Sequence, residues 1–257
     1  MEQGIISKEF YIGRYIYLTA ELRKLPRVSY NNQGGRIVLS VRWTDTSGKE
    51  KRRRISQSNP EWEKYSRIAT RRADLEFKLK KLLSSWDVEY GGSLAELATH
   101  YVLKPNATHP FDSEFYESLK EDNNSYPKDR KIIHNGMIMR SFFESDVAQV
   151  LENLGIDYKY EVCFRLGKKD MSPDFSMDFP EFNRCSFLEA IGGMGNLSYV
   201  QSNAEKFANY TNNGLYLNRD IIFITGDESY RPDEISAKRI IGVMLDALAK
   251  MYVFRKT

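Results

Sequence analysis

Two acidic residues in the segment SPDFSMDFPEFNRCSFLEAIGG, residues 172–193, have the types and spacing for metal chemistry. Asp174 follows Pro173 at the start of one extended segment, and Glu189 lies inside the next. A cation such as Mg²⁺ takes hard oxygen ligands in near-octahedral array. Carboxylates on neighbouring strands supply them when both leave the sheet on one face. The period of two puts Phe187, Glu189 and Ile191 on one face, and Ser186, Leu188 and Ala190 on the other. A buried, unpaired carboxylate is costly, so Glu189 calls for a cation, a proton or a hydrogen-bonded partner. The plainer alternative makes Asp174 a turn residue after proline and leaves Glu189 on a solvated face. A third acid, Glu144, lies four residues after Arg140, where a simple i,i+4 surface pair is the alternative.

The elements that must position these acids follow from the punctuation. SFFESDVAQVLENLG reads as an amphipathic helix, with Phe143, Val147, Val150, Leu151 and Leu154 at helical intervals and Gly155 as its stop. DYKYEVCFRL reads as a strand, GKKDMS as a turn, PDFSMDF as a second strand and RCSFLEAI as a third. SYVQSNAEKFANYTNNG is a helix, and RDIIFIT is a strand buried on both faces. A long closing helix follows, with Ile235, Ile240, Ile241, Met244, Leu245, Leu248 and Met251 as its expected buried stripe. Helix, three strands, helix, strand, helix makes an α/β protein with a mixed sheet flanked by helices.

With RSFFESDVAQVLENLGIDYKYE, PDF and FLEAIGGMG in this order, residues 140–225 resemble the PD-(D/E)XK nuclease superfamily. The resemblance implies a restriction-endonuclease-like αβββαβ core and a Mg²⁺ or Mn²⁺ cofactor. It implies Asp174 and Glu189 as catalytic metal ligands and Glu144 as the helix acid near the metal. Within the superfamily, Arg140-Ser141 with Glu144, Pro173-Asp174-Phe175, Glu189 with Gly192, then Tyr199, Lys206 and Tyr210 are similar to a bacterial branch. Where the superfamily has lysine this chain has Ile191, whose backbone carbonyl alone is left to serve as a ligand. Two explanations stand open: the lysine has migrated, or the site is inactive. Lys206 is the candidate for migration. Tyr199, Asn203, Lys206 and Tyr210 form one helical stripe on the element after Glu189; its alternative is a tyrosine-covered flank with Lys206 reaching to water. An active site would catalyse metal-assisted hydrolysis of a phosphodiester. An inactive one would leave a nuclease fold that binds nucleic acid or protein.

The remainder of the chain bears on partners. Its 257 residues include 16 Tyr, 14 Phe and 3 Trp, enough apolar mass for a sizeable core, and the net charge is only +3. Positive charge concentrates in Lys51, Arg52, Arg53 and Arg54, and in Arg71-Arg72. GRIVLSVRWTD, the turn TSGK and EKRRRISQS read as a hairpin. A helix over 61–86 follows, with Asn59 as expected N-cap and Pro60 at N1. This small β-plus-helix unit is similar in architecture to the arm-binding modules of phage-type integrases, whose basic ribbon lies on DNA. The alternative is a structural hairpin whose charges protect an edge strand. Candidate nucleic-acid contacts are Lys51, Arg52, Arg53, Arg54, Arg140, Lys168 and Lys169. The expected units are a basic hairpin-and-helix module over 1–86, a connector over 87–134 and the nuclease-like domain over 135–257. DNA is the expected partner, with RNA left open, and the closing helix suits either a core or a homodimer interface. Cys163 and Cys185 form neither a disulfide framework nor a metal-ligand pattern, which fits a reducing cytoplasm. No membrane partner is expected, since no apolar run is long enough to span a bilayer and the first ten residues lack a signal-peptide core.

Overall fold

The structure is a computed structural model that describes residues 4–105, 108–121, 132–227 and 232–257. Helix α1 (Lys8–Lys24) has no counterpart in the sequence reading. Its buried residues include Phe10, Tyr11, Ile12, Gly13, Arg14 and Leu18. Four consecutive apolar or small positions point in different directions around a helix, so no stripe marks it. The sheet β1 (Arg27–Gln33), β2 (Arg36–Thr44) and β3 (Glu50–Ser56) is antiparallel in that order. It thus adds a strand to the expected hairpin. Helix α2 (Trp62–Glu89) packs on one face, where Ala69 meets Val28, Leu39, Val41 and Ile55. It starts two residues later than expected. Glu61 is the cap, and Asn59 Oδ1 accepts the Glu61 N–H at 2.9 Å.

Short elements occupy the stretch expected to connect: α3 (Leu94–Ala98), β4 (Tyr101–Leu103), α4 (Ser113–Ser118), β5 (Ile132–His134) and β6 (Met137–Met139). Leu94 and Ala98 are buried in the same core as α1. Helix α5 (Phe142–Asn153) begins at a capping box formed by Ser141 and Glu144. Gly155 follows it with φ +65°, the left-handed stop expected from sequence.

The expected strand over 157–166 divides. Strand β7 (Asp157–Tyr160) ends where Glu161 takes φ +48°. The chain then turns into a two-stranded ribbon, β8 (Phe164–Leu166) with β9 (Lys169–Met171). It returns to the main sheet as β10 (Phe175–Phe179) and β11 (Arg184–Ile191), and helix α6 (Leu197–Asn212) leads to β12 (Ile221–Thr225). The four-stranded sheet has the order β12-β11-β10-β7, antiparallel except for the parallel β11–β12 pair. All eight residues of β11 are buried. Helix α7 (Glu234–Tyr252) and β13 (Val253–Arg255) close the chain, with β13 pairing with β4.

The sheet separates two apolar layers. Phe175, Met177, Leu188, Ala190 and Ile222 share a core with α1, α5 and α7. Cys185, Phe187 and Ile221 pack with Tyr210 of α6 and Phe164 of the ribbon. On α7, Ile241, Met244, Leu245 and Leu248 are buried, but Ile235 and Met251 are exposed. Ile235 sits about 120° round the helix from Ile241, outside the stripe. Gly242 lets α7 approach the chain start, since a Cβ there would lie 2.9 Å from the Ile5 carbonyl oxygen. Among the described residues, no helix is long and apolar enough to cross a membrane.

One buried acid on β10 predicts a pH effect. Burial raises the Asp178 carboxyl to about 7, with nearby Glu181, Asp157 and Glu117 adding to the rise and the Ser113 hydroxyl opposing it. The folded state therefore holds a proton that the unfolded chain releases near pH 4. Stability is full below that pH and falls as pH rises through about 7, by on the order of 4 kcal/mol. Urea unfolding across this range will show the fall, and Asp178→Asn will remove most of it.

Candidate functional site

The site is built outward from Glu189, which is 1% exposed in the all-buried strand β11. The β10–β11 register pairs Phe175 with Leu188, so one further step sets Asp174 across from Glu189. Asp174 Oδ2 accepts the Ala190 N–H at 2.7 Å. Asp174's own carbonyl accepts the Glu161 N–H at 2.9 Å, which ties the kink after β7 to the start of β10.

Helix α6 supplies the partners of Glu189. Asn196 caps it, its side chain accepting from the N–H groups of Ser198 and Tyr199. Two turns on, Lys206 Nζ pairs with Glu189 Oε2, and Tyr210 donates its hydroxyl to Glu189 Oε1 at 2.6 Å. The stripe expected from sequence therefore faces the acid. Asn203 instead turns back to its helix, donating to the Tyr199 carbonyl at 2.8 Å.

Glu144 lines the same cleft from α5, together with Arg140. Its Oε2 is engaged by the cap: it accepts from the N–H groups of Arg140 at 3.0 Å and Ser141 at 3.2 Å, and from the Tyr160 hydroxyl at 2.6 Å. The signal for this was in the text, since Ser-x-x-Glu before an apolar run is the capping-box pattern. Arg140 does not make the i,i+4 side-chain pair with Glu144. Its guanidinium pairs with Glu161, a buried residue that the sequence reading missed. No local pattern announces Glu161, because its role depends on a backbone kink inside strand-like text.

Ile191 is placed differently from the expectation of a carbonyl ligand. Its carbonyl accepts the Gly226 N–H at 2.8 Å, on the β12 side. Within a strand, a residue's N–H and C=O leave the same edge, and the next residue uses the opposite one. Ala190, whose N–H meets Asp174, therefore directs its carbonyl toward the Asp174 edge. The Ile191 side chain is buried.

These groups surround a cleft of about 560 Å³, with Asp174, Glu189, Lys206, Glu144 and Arg140 in its wall. The β8–β9 ribbon stands at its rim through Asp170 and Met171, with Lys168 and Lys169 exposed beside them. Burial and the neighbouring Asp174 charge raise Glu189 to about 8, against the pull of Lys206 and Tyr210. Burial raises Asp174, and burial together with Asp174 raises Glu144. Burial pulls Lys206 down, but Glu189 and Asp174 outweigh it and hold the ammonium above its usual value. Among the described residues no three His, Cys, Asp or Glu side chains close into a metal cage. The converging donors are two carboxylates and a backbone carbonyl, all oxygen. That set fits a hard divalent cation that keeps part of its water shell.

The four basic residues of β3 separate by face. Arg52 and Arg54 lie on the side away from α2, and Arg52 Nε donates to Ser40 Oγ at 2.6 Å. Lys51 and Arg53 lie on the other; Arg53 pairs with Glu61 over the Tyr65 ring, and Lys51 stands 3.6 Å from Asp45. Register also aligns Arg27, Arg42 and Arg52 in one row across the three strands. With Arg36 and Arg54, this face carries five arginines, against Glu50 as its one carboxylate among the described residues. Arg27 and Arg42 are far apart in the text, and only the pairing brings them together.

Comparison with protein-family models, curated proteins and solved structures finds no match.

Removing the Lys206 ammonium leaves Glu189 buried without its cation. Lys206→Met is expected to cost about 1–3 kcal/mol of stability above pH 8, where Glu189 ionises, and little at pH 5, where it is protonated. Urea unfolding at the two pH values measures the difference.

Proposed function

We propose that this chain is a divalent-cation-dependent phosphodiester hydrolase acting on DNA, with a PD-(D/E)XK-type, restriction-endonuclease-like core. The supporting order is α5, the strands β7, β10 and β11, then α6 and β12, with the β8–β9 ribbon as an insertion. The observation that carries the proposal is the pairing of Lys206 with Glu189. A cation from the following helix occupies the cleft where Ile191 leaves the strand without one.

Asp174, Glu189 and the Ala190 carbonyl would hold Mg²⁺ or Mn²⁺. When bound, the cation supplies a Lewis acid that polarises the scissile phosphate. Lys206, held protonated, is no proton acceptor; it offers charge and N–H donors to the phosphate as negative charge builds in the transition state. Tyr210 fixes the orientation of Glu189. Arg140, braced by Glu161, binds a phosphate at the cleft wall, and Lys168 and Lys169 meet the backbone beside it. The arginine face of the β1–β2–β3 sheet supplies the sequence-independent grip on the duplex.

One observation favours a second reading, a nuclease-like fold that binds without cutting. Lys206 and Tyr210 already satisfy both oxygens of Glu189 within the protein. Cleavage separates the two readings. On the first, the protein cuts plasmid DNA with Mg²⁺ or Mn²⁺, and the cation raises its melting temperature. Asp174→Asn and Glu189→Gln lose both effects while keeping the native circular dichroism. Lys206→Met slows cleavage by about 10²–10³-fold. Cleavage at the wild-type rate by Asp174→Asn refutes the assignment.

Duplex affinity supplies a separate measurement. Replacing Arg52 and Arg54 by alanine should reduce the slope of log affinity against log salt by about 2. The same change at Lys51 and Arg53 should reduce it less.

A further inference from the structure

A second concave site lies on the amino-terminal unit, apart from the cleft. It is a groove of about 550 Å³ between the end of α1 and the sheet. Arg23, Lys24, Arg42 and Arg53 line it with two rings, Trp43 and Tyr65, and no carboxylate is in the lining. Trp43 is 47% exposed, whereas Trp86 is buried and Trp62 packs against the small core under the sheet. An indole left half in water, among four cations, has surface to cover and charge to offer.

The cations have partners outside the groove: Glu21 for Lys24, Glu61 for Arg53 and, at 4.0 Å, Glu50 for Arg42. All these basic side chains are exposed, and solvent-exposed pairs of this kind are weak enough for a phosphate to displace. The volume suits one nucleotide rather than a helix. A flat aromatic surface recognises a base by its face, which is hidden in a duplex and open in a single strand.

We propose that this groove binds an unpaired nucleotide of single-stranded DNA, its base stacked on Trp43 and its phosphate held by the surrounding cations. The site lies mainly on the α2 side of the sheet and shares Arg42 with the arginine face, and it needs nothing from the Asp174–Glu189 cleft. A protein with both surfaces engages a junction between duplex and single strand.

Tryptophan fluorescence titrated with an oligothymidylate, with EDTA present to stop cleavage, tests the site without reference to catalysis. The oligonucleotide should quench the emission. Trp43→Ala should weaken its binding by about tenfold, and Trp43→Phe, which keeps a ring, should restore most of it. Lys250→Ala, which removes an exposed cation from α7, should leave affinity unchanged. Wild-type affinity in Trp43→Ala overturns the proposal. So does a blunt duplex whose binding falls as much as the oligothymidylate's in Trp43→Ala, or a preference for an oligouridylate of equal length over the oligothymidylate.

Discussion

The charge on Glu189 constrains everything near it, because the strand around it is closed to water. A carboxylate at the centre of a sheet is stable only if the surroundings replace its lost hydration. Here the replacement comes from a single helix, which brings an ammonium to one oxygen and a phenol to the other. Asp174, one register step away, works against it by raising the acid's affinity for a proton. The protein therefore packs two carboxyl groups together with one close ammonium in attendance. Such an arrangement is costly in a purely structural core and useful where a positively charged group must be captured.

The geometry around that pair depends on backbone detail as much as on side chains. Glu161 leaves the sheet with a left-handed turn, and its N–H secures the carbonyl of Asp174. The same residue holds the Arg140 guanidinium, so one kink braces both the acid and the basic wall of the cleft. Glu144 starts the helix behind them and reaches the cleft as a by-product of its capping role.

Much of this was legible in the text, for identifiable reasons. The third strand was read at its true limits, residues 184–191, because the segment is bounded by a turn on one side and by glycines on the other. The α6 stripe was readable because Tyr199, Lys206 and Tyr210 recur at helical spacing. Other features were illegible because they arise only in three dimensions. Helix α1 is buried on several sides and shows no stripe. The row of Arg27, Arg42 and Arg52 exists only through strand register. The direction of a carbonyl, Ala190 against Ile191, depends on which neighbour each edge of β11 meets, and no residue type encodes that.

A lysine on the strand would be as permanent as the sheet itself; on α6 it is not. Of the sixteen residues of that helix, only Tyr210 is buried, so little apolar contact resists its local unfolding. One such opening would carry away the ammonium and the phenol together while the sheet stayed folded. The centre is in this sense detachable, and amide exchange in α6 reports how long it is assembled.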